Sequence, residues 1–280
     1  ANRWWRIRIG VEARALKFKN RDNLRSEPVT LAETTEQSLG IFLTQQLTAR
    51  FRFVKLGLHP MLRFDRTALD HTSGDRVIDQ WSPAVNAYLS PTGYDNLSLR
   101  ASWSRGFRLP TYADLFYRDF RVQGRADLLP ETSLNREFGL TWTLQNPWQF
   151  SVDASRFHYS IDNMIVWRMG NFQVFSPYNT DARVHGEEVS VQTEIPSSRV
   201  QIHAHYMHMR SINKNKNITL FDNHLPYRPK HTVKAGVSVQ YPDWHSRLNA
   251  RFVGERFLNE ANTKQLPGYT VLDLTTSYTL

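Results

Sequence analysis

Arginine and aromatic residues occur together in residues 107–131, and this combination of side chains could bind a ligand. Guanidinium groups form charge-assisted hydrogen bonds with anions, and aromatic rings pack on flat groups and on cations. We therefore predict that this segment, named here the basic–aromatic loop, contacts a large anionic ligand. An ordinary solvated loop is the alternative. The candidate ligand contacts are Arg108, Tyr112, Tyr117, Arg118, Phe120, Arg121 and Arg125.

Histidine, methionine and acidic side chains are the other candidates for chemistry. One alternating group could ligate a metal or haem iron, although polar lining of a channel is the alternative reading. It consists of His203, His205, Met207 and Met209. The acids Glu131, Glu137, Glu188 and Asp273 lack the spacing of a catalytic pair, and the chain has no Gly-x-Ser-x-Gly, phosphate loop or His-Glu-x-x-His motif. We predict no enzyme activity, no cofactor and no metal site.

The segments on either side of the basic–aromatic loop alternate between apolar and polar residues, which is typical of β-strands. Before the loop, Leu97, Leu99, Ala101 and Trp103 share one face and Ser98, Arg100, Ser102 and Ser104 the other. After it, Leu134, Phe138, Leu140 and Trp142 lie opposite Asn135, Glu137, Gly139, Thr141 and Thr143. Each strand has one apolar face and one polar face, so the two strands fit a sheet that separates lipid from a water-filled lumen.

About twelve such strands follow each other along the chain, and most have the length of a tilted membrane strand. Connections near residues 50, 93, 146, 197 and 243 look short, and those near 27, 72, 118, 173, 219 and 262 look longer. Short turns at one end and longer loops at the other are typical of outer-membrane barrels. The bounds expected for individual strands include 5–16, 53–66, 78–89, 149–166, 183–194, 200–209 and 269–280.

Composition allows this all-β, antiparallel transmembrane barrel. The 280 residues are 40% hydrophobic with a mean hydropathy of −0.51, and no run is long enough for a membrane helix. The chain has no cysteine, which removes disulfides and thiolate metal sites. Its net charge of +9 fits either lumenal and loop arginines or a basic path for an anion. Nucleic-acid binding is disfavoured because the 35 Lys and Arg residues are spread along the chain.

Two ordered motifs in and beside the loop resemble the TonB-dependent outer-membrane receptors. The first is Ser104-Arg105-Gly106-Phe107-Arg108, followed by Pro110-Thr111 and Leu115-Phe116-Tyr117. The second keeps Asp127, Leu128, Pro130 and Glu131 of the family's Asn-Pro-Asp-Leu-x-Pro-Glu box, with Arg125-Ala126 where Asn-Pro is usual. Later strands add Gly186, Glu188 and Asp273 at positions similar to the family's.

The resemblance implies a barrel of about 22 strands around an N-terminal plug domain. Residues 1–280 would form part of it, similar to strands 9–20, with the plug, the early strands and the closing hairpin outside this chain. It further implies import energised by the TonB–ExbB–ExbD complex, in a Gram-negative outer membrane with lipid and lipopolysaccharide around it. The favoured cargo is an iron chelate such as a ferric siderophore.

Other readings stay open for the cargo and the class of protein. A haem or cobalamin receptor of the same family is the first, although residues 111–125 lack the histidine that the family's haem importers place there. A passive porin or adhesin barrel and a soluble sugar-binding β protein are further alternatives.

Overall fold

The chain folds into one antiparallel sheet of twelve strands, in which each strand pairs with the next along the sequence. The structure is a computed structural model, and it describes residues 3–22, 29–71, 75–94, 96–145, 148–170, 173–215 and 220–279. The sheet strands are β1 Arg3–Asp22, β2 Val29–Arg50, β3 Val54–His71, β4 Arg76–Pro91, β5 Leu97–Arg108, β6 Glu131–Leu144, β7 Gln149–Met169, β8 Phe175–Ile195, β9 Val200–Asn213, β10 His231–Gln240, β11 Trp244–Val253 and β14 Tyr269–Tyr278. The predicted all-β antiparallel fold is confirmed.

Two small elements lie in the connections and were not predicted. Helix α1, Tyr112–Phe116, lies in the basic–aromatic loop, and a hairpin of β12, Arg256–Phe257, and β13, Gln265–Leu266, lies between β11 and β14. Both are too short to leave a periodic pattern in the sequence. Within the described residues, no helix is long and apolar enough to cross a membrane.

Several strands extend beyond their predicted bounds at the end where the longer loops were expected. Strand β8 begins at Phe175 instead of residue 183, and β3 continues to His71 instead of residue 66. Polar pairs continue the ladder there, as in the salt bridge of 3.1 Å between the register partners Lys19 and Glu33. The alternation of apolar and polar residues marks only the lipid-facing part of a strand, so it underestimated the length. The longer connections predicted near residues 27, 72 and 219 and the short turn predicted at 146 fall wholly or partly on residues outside the described ranges.

The two faces of the sheet differ as predicted. Large apolar side chains on the outer face are exposed, for example Trp5 at 67%, Ile9 at 74% and Leu274 at 73%. A shallow groove of about 660 Å³ on this face, between Trp5 and Phe138, is lined almost entirely by apolar side chains. No second layer covers these residues in the described chain. A single sheet with such an apolar face is expected in contact with lipid.

The apolar band crosses the sheet obliquely. One row of register partners holds Leu58, Ala87 and Ala101 in β3–β5 and then Arg156 and Glu187 in β7 and β8. Strands of a membrane barrel tilt by about 35–45°, so a row of paired residues climbs out of the lipid as it passes around the wall. The oblique band is the consequence of this tilt.

The inner face is polar and holds ion pairs that cross several strands. Arg100 donates to both carboxylate oxygens of Asp153, at 2.5 and 2.8 Å, and lies 3.5 Å from Glu137. It reaches them by lying across Gly139, where a Cβ would come within 2.5 Å of the guanidinium carbon. Other large inner-face side chains lie across glycines of neighbouring strands in the same way: Phe42 over Gly10, Arg63 over Gly40, Tyr88 over Gly57 and His203 over Gly236.

Candidate functional site

The basic–aromatic loop begins and ends on an ion pair between register partners. Arg108 at the end of β5 and Glu131 at the start of β6 are paired in the sheet. The Arg108 guanidinium donates to Glu131 through Nε at 2.8 Å and Nη2 at 2.6 Å, a bidentate geometry. The same carboxylate accepts from the backbone N–H of Ile165 at 2.5 Å. The predicted ligand contact Arg108 is therefore engaged in joining the two ends of the loop to β7.

Helix α1 is fixed by a buried aspartate. Thr111 and Asp114 form a capping box: Asp114 accepts from the Thr111 N–H at 2.8 Å, and the Thr111 hydroxyl lies 3.2 Å from the Asp114 N–H. The second carboxylate oxygen of Asp114 accepts from the Trp167 indole N–H at 2.8 Å. Arg108 lies 3.7 Å from the same carboxylate, so the charge of this buried group is compensated.

Beneath the helix, the loop has an apolar core of its own. Leu115 and Leu128, 5% and 1% exposed, pack with Leu69, Ile78 and Ile165 from three strands. The Leu128 carbonyl accepts from Arg76 at 2.8 Å. The base of the loop is thus packed like a protein interior, which the alternative of a solvated loop did not anticipate.

Gly124 returns the chain against α1. A Cβ at this position would meet the backbone of Leu115 and Phe116 at 2.8 Å. Hydrogen bonds on either side hold the contact, from the Gly124 N–H to the Tyr117 carbonyl at 2.6 Å and from the Arg125 N–H to the Asp114 carbonyl at 2.8 Å. Only glycine allows this approach without a shift of the helix.

Two more of the predicted ligand contacts lie within the packed structure. Tyr112 stacks on Phe18 at a centroid distance of 5.3 Å, and burial raises the pKa of its hydroxyl. Arg125 donates to Asp127, and this hydrogen bond lowers the pKa of the Asp127 carboxyl and raises the pKa of Arg125. The Arg125 guanidinium also lies 4.7 Å from the ring centroid of Tyr178.

The other four predicted contacts form the exposed tip of the loop. They are Tyr117, Arg118, Phe120 and Arg121. Phe120 is 85% exposed, and neither arginine has an ion-pair partner among the described residues. The tip is held in place by backbone bonds to β8, from the Gln123 N–H to the Phe175 carbonyl at 2.8 Å and from the Phe175 N–H to the Arg121 carbonyl at 2.7 Å.

Of the remaining motif positions, Gly186, Glu188 and Asp273 lie on strands outside the loop, and Phe107, Pro110 and Pro130 lie within it. Gly186 on β8 lies beneath the Phe157 ring and against the backbone of β9, and Asp273 on β14 pairs in register with Asn249. Glu188 pairs in register with Ser155 and Met207. Phe107 and Pro110 flank the Arg108 anchor in sequence, and Pro130 precedes Glu131.

Two of the predicted histidines, His203 and His205, lie on the inner face of β9. His205 hydrogen-bonds Ser190 at 2.9 Å, and His203 lies over Gly236. Among the described residues, no three His, Cys, Asp or Glu side chains are grouped so that they could hold a metal ion.

Sequence reasoning missed the partners that β7 supplies. Trp167 and Ile165 hold the loop, and the Arg168 guanidinium lies 4.3 Å from the ring centroid of Tyr178, which Arg125 also contacts. Their orientation follows a register shift between Ile161 and Met164, where Asn163 adopts φ 56°. A one-residue bulge reverses the faces that alternation predicts, and asparagine is one of the few residue types that suit it.

A single antiparallel sheet with an apolar outer face, a charged inner face and a folded loop at one end defines the class: a large outer-membrane β-barrel, of which this chain supplies twelve wall strands. The particular family follows from comparison. Residues 5–280 match the family described as TonB dependent receptor-like, beta-barrel, and the chain belongs to this family. Its members are transporters and receptors of the Gram-negative outer membrane, not enzymes.

Individual relatives agree with this assignment. The vitamin B12 transporter BtuB of Photobacterium profundum is 28% identical over 234 residues, 76% of this chain and 36% of that protein. The copper transporter OprC superposes with a TM-score of 0.76 at 16% identity, over 98% of this chain and 46% of that one. The ferric-catecholate import receptor Fiu of E. coli K12 gives 0.71 at 18% identity, over 99% and 46%. The chain thus spans less than half the length of these proteins.

Proposed function

We propose that this chain is wall strands 9–20 of a TonB-dependent transporter that imports an iron chelate, with a ferric siderophore as the favoured cargo. Cargo binds at the exposed tip of the basic–aromatic loop, and a plug inside the barrel is remodelled by the TonB–ExbB–ExbD complex. Binding and gating perform the work without covalent chemistry. Lipid and lipopolysaccharide surround the outer face of the barrel.

The observation that carries the choice of an anionic cargo is the pair Arg118 and Arg121. Both are exposed, on a tip whose base is fixed by buried contacts, and Phe120 stands beside them with 85% of its surface exposed. Two guanidinium groups on a rigid support bind an anion with little loss of entropy, because the loop is already ordered.

Cobalamin is the second candidate, because the relative from Photobacterium profundum is a vitamin B12 transporter. Cobalamin import would not require the two unpaired arginines of the tip. The charge of the tip therefore separates the two candidates in an experiment.

Uptake measurements in cells that express the full-length protein test the proposal. We expect uptake of a labelled ferric siderophore that needs TonB, and we expect Arg118→Ala/Arg121→Ala to reduce this uptake by about one to three orders of magnitude. The control removes the same charge at the opposite end of the barrel, with Arg50→Ala/Arg52→Ala beside the β2–β3 turn. TonB-dependent uptake of cyanocobalamin, unchanged by the loop variant and by salt, would replace the iron chelate with cobalamin as the cargo.

A further inference from the structure

A cavity of about 490 Å³ lies beside the basic–aromatic loop, at the same end of the sheet. One wall is the end of β7, with Trp167, Arg168 and Met169, together with Phe175 of β8. The facing wall comes from two connections, residues 225–228 before β10 and residues 258–260 between β12 and β13. Phe175 also binds the backbone of the loop tip, so the cavity and the tip are neighbours.

The facing wall is held together independently of β7. The Tyr227 N–H donates to the Phe257 carbonyl at 2.8 Å, and the Asn223 amide donates to the Glu260 carbonyl at 2.9 Å. The side chain of Asn262 bonds both the N–H and the carbonyl of His224, at 2.7 and 2.8 Å. These bonds join the two connections into one support without a contribution from β7.

Across the cavity, the two walls share one loose ion pair. The Arg168 guanidinium lies 3.5 Å from the Glu260 carboxylate, and both side chains are mostly buried. The Arg168 Nε is buried and has no hydrogen-bond partner among the described residues. An unpaired buried N–H costs free energy that an acceptor atom on a ligand would recover.

We propose that this cavity binds a flat, largely apolar organic anion, such as an aryl carboxylate or catecholate group, with Arg168 donating to the anionic oxygens in place of Glu260. The lining supplies Met164, Val166, Tyr227 and Leu258 for the apolar body of the ligand, the first two on the face of β7 that carries Arg168, and Arg228 is a second cation. Apolar walls with a few convergent polar groups are typical of small-molecule sites. That this anion is part of the imported cargo rests on the proposed function.

The two partners of the ion pair allow a test in which opposite effects are expected. The probe is 2-naphthoate, with neutral 2-naphthamide as its matched analogue, measured by equilibrium dialysis against full-length protein in nanodiscs and against empty nanodiscs. Arg168→Met should raise the Kd for naphthoate by about ten- to a hundredfold, because a charge-assisted hydrogen bond is lost. Glu260→Gln should lower it several-fold, because the competing carboxylate is gone. Arg156→Met, the same substitution on the outer face of β7, should leave the Kd values for naphthoate and naphthamide unchanged.

The opposite signs distinguish ligand binding from a structural role. If the pair only held the two walls together, both substitutions would weaken binding alike, and this result would overturn the proposal. Equal affinity for naphthoate and naphthamide would overturn it as well. Should Arg168→Met fail to fold, Glu260→Gln still decides, because unchanged or weaker binding contradicts the exchange of partners. Dialysis does not depend on transport, whereas the uptake assay fails or succeeds whatever this cavity binds, so the two proposals are tested separately.

Discussion

Replacing Leu128 with alanine tests whether the base of the basic–aromatic loop is a packed unit. Leu128 is 1% exposed in the core with Leu115 and Ile165. Truncation of a buried leucine costs about 2–5 kcal/mol. Because the bonds that hold the loop to the sheet, including those from its tip to β8, are separate from the ladders that pair the strands, this cost should fall on local opening of the loop and not on unfolding of the barrel. At about 1.4 kcal/mol per factor of ten, the opened population rises about 30- to 4,000-fold.

Hydrogen exchange of the loop amides measures this opening. The N–H groups of Leu115, Gly124 and Arg125 are bonded within the loop and should exchange faster by that factor, while amides in the middle of β6 keep their protection. Leu129→Ala is the matched control, since this neighbouring side chain is 49% exposed and should matter little. The reasoning is refuted if the two alanine variants exchange alike, or if protection in β6 falls together with that of the loop.

Three further predictions concern the wall, the orientation and the pH dependence. Leu99→Arg on the outer face should cost about 2–4 kcal/mol in reversible folding into lipid vesicles, whereas Ser102→Arg on the inner face should be tolerated far better; equal penalties would contradict the assigned faces. A maleimide applied to intact cells should label Phe120→Cys above the level of the parent protein and leave Gly93→Cys at that level, and equal labelling of the two variants would contradict the assigned orientation. The Asp127 pKa is lowered from its usual value, so the stability it adds is present above the ordinary aspartate pKa and is lost only as the pH falls through the lowered one. The exposed Arg125–Asp127 pair is worth about 1 kcal/mol or less, so Asp127→Asn should have only a small effect. Hydrogen exchange of the loop amides, corrected for its intrinsic pH dependence, should be flat from about pH 7 to 5. A marked loss of protection within that range would contradict the lowered pKa of Asp127.

The faces of the strands followed from the sequence because lipid and water impose opposite demands on alternate residues. Leu99 and Arg100 were assigned correctly from their neighbours alone, and the pattern held where strands stay within the apolar band. The pattern failed where strands extend beyond the lipid, as at the start of β8. Both faces carry polar residues there, so the apolar–polar alternation that marks a strand is absent.

The candidate site was predictable in its residue types and not in its contacts. Arg108 was identified as a guanidinium suited to an anion, but the anion it meets is Glu131, its register partner in the next strand. The register of β5 and β6 brings the two residues together, and a single strand read by itself does not reveal this pairing. Trp167, which fixes Asp114, lies beyond a bulge that a single sequence does not reveal. Arg118 and Arg121 remain predictions as cargo contacts.

The glycines crossed by large inner-face side chains affect the space inside the wall. A side chain on a strand normally stands upright from the sheet, so a row of tyrosines and arginines would project into the lumen. Where Tyr88 lies over Gly57 and Arg100 over Gly139, the side chain lies flat on the neighbouring strand and projects less into the lumen. At these positions the charged and aromatic groups lie flat on the inner face and leave a smoother lumen surface. A domain enclosed by such a barrel could rotate or slide with less steric hindrance from these side chains.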